Sequence, residues 1–328
     1  MSTPTPHQPP HLAPQPQPSQ SPQYQHQPGG HAATATAPPP QGVPGGYASP
    51  IPFARTHIGH AIASEWTKIR SVRSTVWTLG VMFVLVVGIG LLTAIALSGQ
   101  TYTGMPLLAP GLFGLMLGQI CIITLGVLVI TSEYGTGMIR TTMTACPARG
   151  RVLIAKALIF FVLAFVMTTV ACTLTALINS LLLSDQRLPD YAGQSGALKG
   201  SVENGQLVAD GGQWLGATVG AGLYVALLGL LSLAVGALLR HSAGAVTTML
   251  GVVLLPLVMA LFMVGESMEK VRDVLMKYSP LNGLASLYRI PMSPEDQSAT
   301  GWPLLALLAG VTVVALGAAY ALLNHRDV

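Results

Sequence analysis

From residue 76 onward the chain alternates between long apolar runs and short polar interruptions. Six runs, Val76–Leu97, Leu107–Ile130, Val152–Leu183, Trp214–Leu239, Ala243–Val264 and Leu304–Leu323, come near or exceed the roughly 20 residues that carry a helix across hydrocarbon. The pattern predicts an all-α polytopic membrane protein with six transmembrane helices. The third run is long enough to tilt or to emerge from the bilayer. Pro256 is expected to kink the fifth, with neighbouring helices satisfying the carbonyl it frees. Gly114 with Gly118, and Gly216 with Gly220, make GxxxG spacings that let backbones approach closely. Among 36 glycines such spacings also arise by chance.

The polar and mixed segments are of several kinds. Residues 1–52 are rich in Pro and Gln and carry no charge, the first being Arg55; such a segment buries too little apolar surface to offset its ordering entropy and is expected to be disordered. It lacks the basic and apolar regions of a signal peptide, and its scattered His7, His11, His26 and His31 lack metal-site spacing. Over residues 58–73, Ile58, Ile62, Trp66, Ile69 and Val72 recur at three- and four-residue steps, with Glu65, Lys68, Arg70 and Arg73 largely elsewhere on the wheel. This predicts an N-terminal helix lying in the membrane interface, its cations near headgroups. Residues 184–213 read as a flexible exposed loop. Within 265–301, Met268, Val271, Val274, Leu275 and Tyr278 share a helical face before Pro280, and a second apolar turn follows, predicting short outer helices between spans five and six.

Composition and charge narrow the class. Half the residues are apolar, 9% are charged and the mean hydropathy is +0.58, values foreign to soluble domains. The net charge of +4 does not mark a nucleic-acid binder, because the basic residues flank membrane spans instead of forming one soluble face. Cys121, Cys146 and Cys172 offer neither a disulfide framework nor metal spacing. With the N-terminus inside, ten of the sixteen Lys and Arg residues are cytosolic, so the positive-inside rule predicts both termini in the cytosol. A surplus of Arg over Lys with abundant Ala and Gly fits a GC-rich bacterial genome, and the expected location is the bacterial plasma membrane.

The most distinctive interruption is Thr131–Lys156, which includes the cytosolic loop 131–151. Glu133 falls where the second span leaves the membrane, and Gly135 and Gly137 permit a tight reversal. A short polar helix over 138–144 is expected to end at Pro147, and Arg149, Arg151 and Lys156 are expected to anchor the re-entry by reaching to headgroups. A compact loop fixed at both ends to membrane helices can transmit a push.

Several chemistries lack support. There is no phosphate-binding GxxxxGK[ST] loop, and Gly-Lys occurs nowhere. HExxH and GxSxG are missing too, so the chain is expected to be no enzyme, with no catalytic residue, cofactor or metal. Away from their flanks the six runs are read as free of ionisable residues, which weighs against an ion-coupled carrier.

Three stretches carry a family resemblance: EWTKIRSVRSTVWTL before the first span, SEYGTGMIRTTMTACPARGRVLIAKAL between the second and third, and YSPLNGL between the fifth and sixth. Over residues 56–328 the chain resembles the membrane subunit of type-2 ABC exporters (the ABC-2 permeases), in which six-helix permeases pair with a separate ATPase. The resemblance implies a permease domain over 53–328 and an interfacial connecting helix containing Glu65, Trp66, Lys68, Arg70 and Arg73. It also implies an ATPase-coupling helix formed from Glu133, Tyr134, Thr136, Met138, Ile139 and Arg140. The partners it implies are two copies of a cytosolic ATPase and a second permease protomer, identical or sister. Gln119, Thr124, Thr175 and Asn179 are candidates for lining a route between protomers; inter-helix hydrogen bonding accounts for them equally well. The alternatives are a non-transporting scaffold or regulator that recruits partners through the proline-rich tail and, behind it, an ion-coupled carrier.

Overall fold

The computed structural model describes residues 57–100, 104–137, 149–186, 188, 198, 201–292 and 301–325. The tail over 1–52 and the short helix expected over 138–144 lie outside these residues. The protein is an all-α membrane protein: six helical segments are long and apolar enough to cross a bilayer, Arg73–Ser98, Gly111–Gly135, Gly150–Leu183, Gly211–Leu239, Ser242–Phe262 and Trp302–His325.

Helix α1, Ile58–Ser71, precedes the first span, α2, Arg73–Ser98. Val72 alone separates them; its extended backbone turns the chain, and its N–H donates to the Lys68 carbonyl. Spans two and three are α3, Gly111–Gly135, and α4, Arg149–Leu183. Helix α3 starts later than the apolar run because Pro106 to Pro110 form turns, and it runs on through Glu133.

Span four is composite. Asp210 caps α5, Gly211–Leu215, by accepting from the Gln213 N–H at 2.7 Å. A π-helical turn, Gly216–Gly220, leads into α6, Ala221–Leu239. Arg240 ends α6 in the left-handed conformation. Helix α7, Ser242–Phe262, is capped by His241, whose Nδ1 accepts from Gly244, and continues helical through Pro256. Helices α8, Glu269–Lys277, and α9, Pro280–Leu287, precede the last span, α10, Trp302–His325.

Spans two and four form the centre. Their residues are 56% and 67% buried, against 17% for α7, and they meet where Gly126 lies against the Gly229 carbonyl and Ser232. Both GxxxG pairs are close-approach sites: a Cβ on Gly114 would lie 2.5 Å from the Val86 carbonyl oxygen, and one on Gly216 would lie 2.6 Å from that of Leu287. Phe160, Met82, Leu115, Ile122 and Leu228 fill the surrounding core.

The expected flexible loop over 184–213 is corrected in part. Val202–Glu203 and Gln206–Leu207 form an antiparallel hairpin, with Glu203 opposite Gln206. Asn204 and Gly205 turn it with φ of 53° and 75°, the paired positive values that a two-residue turn matched to strand twist requires. Leu207 is buried, and Ser201 accepts a hydrogen bond from Gln213 of α5. The same end holds a latch: both carboxylate oxygens of Asp210 accept from Arg289, which follows α9, at 2.8 and 2.7 Å. Burial alone would raise the Asp210 carboxyl, but Arg289 and the helix N–H groups hold it below its ordinary value.

The short helices expected between spans five and six are present, with unlike surroundings. On α8, Val271 and Val274 are exposed, as are Met268 before it and Tyr278 after it. Helix α9 is buried from Leu281 to Leu287. Pro280 opens α9, and the Ser279 hydroxyl caps it. Asn282 then locks it, donating to the Lys277 carbonyl and accepting from the Met292 N–H.

Candidate functional site

Four charged side chains meet at the end of the bundle that carries α1. Glu65 and Lys68 stand one turn apart on α1, Glu133 lies in the last turns of α3, and Lys156 lies seven residues into α4, about 10 Å along its axis. The Lys156 Nζ donates to Glu65 Oε2 at 2.6 Å and to Glu133 Oε1 at 2.8 Å. The Lys68 Nζ donates to Glu65 Oε1 at 2.8 Å and to Glu133 Oε1 at 3.2 Å. Positive and negative groups therefore alternate around a closed ring joining three helices. The Lys156, Glu65 and Glu133 side chains are 4%, 3% and 7% exposed, and that of Lys68 is 28% exposed, so the ring faces water only through Lys68.

The energetics explain why all four are present. A lone ammonium two turns inside an apolar helix would carry a desolvation cost of several kcal/mol. The two carboxylates compensate it, and the second lysine balances the charge. Burial alone would raise the Glu65 carboxyl; Lys156 first and Lys68 second reverse that and hold it below its ordinary value. Burial likewise acts to lower Lys68, and the hydrogen bonds and charges of Glu65 and Glu133 raise it instead. One atom of the cluster is left over: Glu133 Oε2 is buried and has no hydrogen-bond partner among the described residues.

Two sequence expectations are corrected here. Lys156 does not reach to headgroups; it is 3% exposed and its ammonium is held by carboxylates. The helices of spans two and three are also not free of ionisable groups, since Glu133 and Lys156 lie within them, although near one end. Helix α1 likewise does more than rest in the interface. It packs against α4 and α2 and buries Glu65 and Ile69, leaving Ile58, Trp66, Arg70 and Val72 exposed.

No protein-family model matches the chain, and no curated protein is significantly similar to it.

The remaining predicted residues fall in different places. Tyr134 is half-buried beneath the Arg240 guanidinium, 5.3 Å from the ring centroid, a cation–π contact that ties the end of α3 to the end of α6. Thr136 is exposed and donates to the Ser132 carbonyl. Arg73 is exposed at the start of α2. Met138, Ile139 and Arg140 lie outside the described residues. Gln119, Thr175 and Asn179 are buried inside the chain and Thr124 is half-buried. Thr124 and Thr175 donate within their own helices, to Ile120 and Ala171. Gln119 donates to Met116, and Asn179 crosses to Leu108 at 3.4 Å. Thr175 also packs against Gly90 and Gly111.

The ring borders a cavity of about 490 Å³ lined by residues of α1, α2, α3 and α4. On α3 its lining runs from Leu125 through Leu128 and Val129 to Ser132, Glu133 and Thr136, so polarity rises steadily toward the helix end. Sequence reasoning did not foresee this cavity, because its walls come from segments far apart in the chain.

Proposed function

We propose that the chain is the permease subunit of a type-2 ABC exporter. It works as a dimer with two copies of a separate cytosolic ATPase in a bacterial plasma membrane, its termini on the cytosolic side. The ring of Glu65, Lys68, Glu133 and Lys156 carries this reading. It fastens α1 to the two helices that flank the polar loop, so a displacement applied to the loop or to α1 reaches spans two and three together. The Arg240–Tyr134 contact extends the same body to span four. Two of the three motifs that resemble ABC-2 permeases lie in these segments, and the chain holds no phosphate-binding GxxxxGK[ST] loop of its own, so ATP would be hydrolysed by a partner.

In this proposal, closure of two ATPases on nucleotide moves the α1 end of each protomer, and the outer ends of spans two and three follow as levers. The test is purification of the tagged full chain in mild detergents with identification of what accompanies it. Stoichiometric recovery of a soluble protein carrying a phosphate-binding loop is the expected result. Recovery of the chain alone in every detergent, with no ATPase encoded nearby, overturns the proposal.

A further inference from the structure

We propose that the cavity beside the ring binds the headgroup of an aminophospholipid, its ammonium on Glu133 and its phosphate toward Lys68. The inference stands apart from the transporter reading, because it needs only a membrane-embedded chain and the local chemistry.

The first observation is the unmatched carboxylate oxygen. Glu133 is 6% exposed and lines the cavity, both ring lysines donate to its Oε1, and its Oε2 has no partner among the described residues. A buried carboxylate oxygen without a donor is costly, so the vacant acceptor calls for an N–H or O–H from an occupant. The second observation is charge. Two lysines and two glutamates sum to zero, so a zwitterion leaves the site neutral, whereas an anion adds an uncompensated charge in a poorly solvated place.

The third observation is the gradient of polarity. The cavity is charged at Glu133 and Lys68 and apolar at Leu125, Leu128 and Val129, in the order in which a lipid presents its headgroup and acyl chains. Its volume of about 490 Å³ falls in the range of small-molecule sites. A phosphate at the mouth has donors. Lys68 spends two of its three N–H groups on the ring and is the ring member in contact with solvent, and the exposed Ser74 and Ser132 stand beside it. An ethanolamine ammonium supplies the donor that Glu133 lacks. A choline headgroup, with no N–H, does not.

That difference is the test. The purified, delipidated full chain is incubated with phosphatidylethanolamine, its N-monomethyl and N,N-dimethyl derivatives, phosphatidylcholine or phosphatidylglycerol, all with identical acyl chains, and bound lipid is counted by native mass spectrometry. Retention of phosphatidylethanolamine is expected to exceed that of phosphatidylcholine about tenfold, the size of one hydrogen bond to a charged group, with the drop falling where the last N–H is lost. Leu128→Trp, which fills the apolar side of the cavity without touching the ring, is expected to reduce retention to the phosphatidylcholine level. Equal retention of the ethanolamine and choline lipids overturns the proposal and leaves a buried water as the partner of Glu133. Retention of phosphatidylglycerol equal to that of phosphatidylethanolamine, or retention untouched by Leu128→Trp, overturns it as well. Displacement of the lipid by water-soluble phosphoethanolamine overturns the assignment to a membrane lipid.

Discussion

Lys156→Ala is expected to lower the unfolding free energy of the detergent-solubilised protein by roughly 3–5 kcal/mol, the usual cost of stripping one partner from a buried ion network. The side chain lies between Glu65 and Glu133 and is 4% exposed, so its loss leaves two carboxylates facing each other with Lys68 alone to balance them. Lys68→Ala is expected to cost less, because that side chain is 28% exposed and water replaces part of what it supplies. A loss of under about 1 kcal/mol for Lys156→Ala would be incompatible with a structural ring. Replacing all four members by apolar residues of similar size is expected to restore much of the stability, since the ring specifies how three helices meet more than it adds net attraction.

The same assay reads the ring through pH. The carboxyl of Glu65 is held below its ordinary value of 4.5, so its contribution is complete above that pH and is lost as pH falls through the lowered folded value. The ammonium of Lys68 is held above 10.5; its contribution is complete below that pH and fades as pH rises through the raised folded value. Wild-type stability attributable to the ring is therefore expected to be flat across the neutral range and to fall at both extremes. In Lys156→Ala the acid limb is expected to move upward, because burial then acts on Glu65 with less opposition.

Gly126→Val is expected to be the most damaging single substitution in the bundle centre. A Cβ on Gly126 would strike the Ser232 hydroxyl and the carbonyl of Gly229, and backbone cannot step aside as a flexible side chain can. Even Gly126→Ala is expected to cost about 1–3 kcal/mol through overpacking, and valine more, with reduced membrane levels as the second readout. Gly88 is the control. Nothing lies within 4 Å of a Cβ there, and Gly88→Ala is expected to be neutral or to stabilise by about 0.5–1 kcal/mol through helix propensity. Similar losses at both positions would mean that helix flexibility, not close approach, is what these glycines supply.

The six spans were legible because hydropathy over 20-residue windows reports a physical necessity: backbone polar groups in hydrocarbon must bond within their own helix. The glycine pairs were legible only as a spacing. Which glycines meet backbone depends on rotation about helix axes, and Gly126 and Gly222, the latter lying against Thr169, stand outside any GxxxG pair with each other. The hairpin was missed although Asn204-Gly205 is its strongest short signal, because Gly, Asp and Ser around it suggested a loop throughout. The ring stays hidden in the sequence while Lys156 is read as an end anchor. A cation seven residues inside a helix, flanked by Ile154, Ala155, Ala157 and Leu158, demands a buried anion, and that demand was readable. Which anion answers it was not, since Glu65 is 91 residues away in sequence and its placement depends on the fold of α1 against α4.

The ring also changes what kind of positive charge each membrane surface displays. Among the described residues, Lys68 and Lys156 belong to the α1 end and both are held in the ring, while Lys270, which is exposed, and Lys277 lie on α8 at the opposite end. The α1 end therefore shows its surroundings guanidinium groups, such as those of Arg70 and Arg73, and very little side-chain amine. Headgroup phosphates there meet flat, forked donors suited to bidentate contact, whereas the α8 side adds the compact ammonium groups of Lys270 and Lys277 to the guanidinium groups of Arg272 and Arg289. Chemically the two faces are distinguishable, and a membrane-impermeant acylating reagent applied to whole cells would report which of them the cell turns outward.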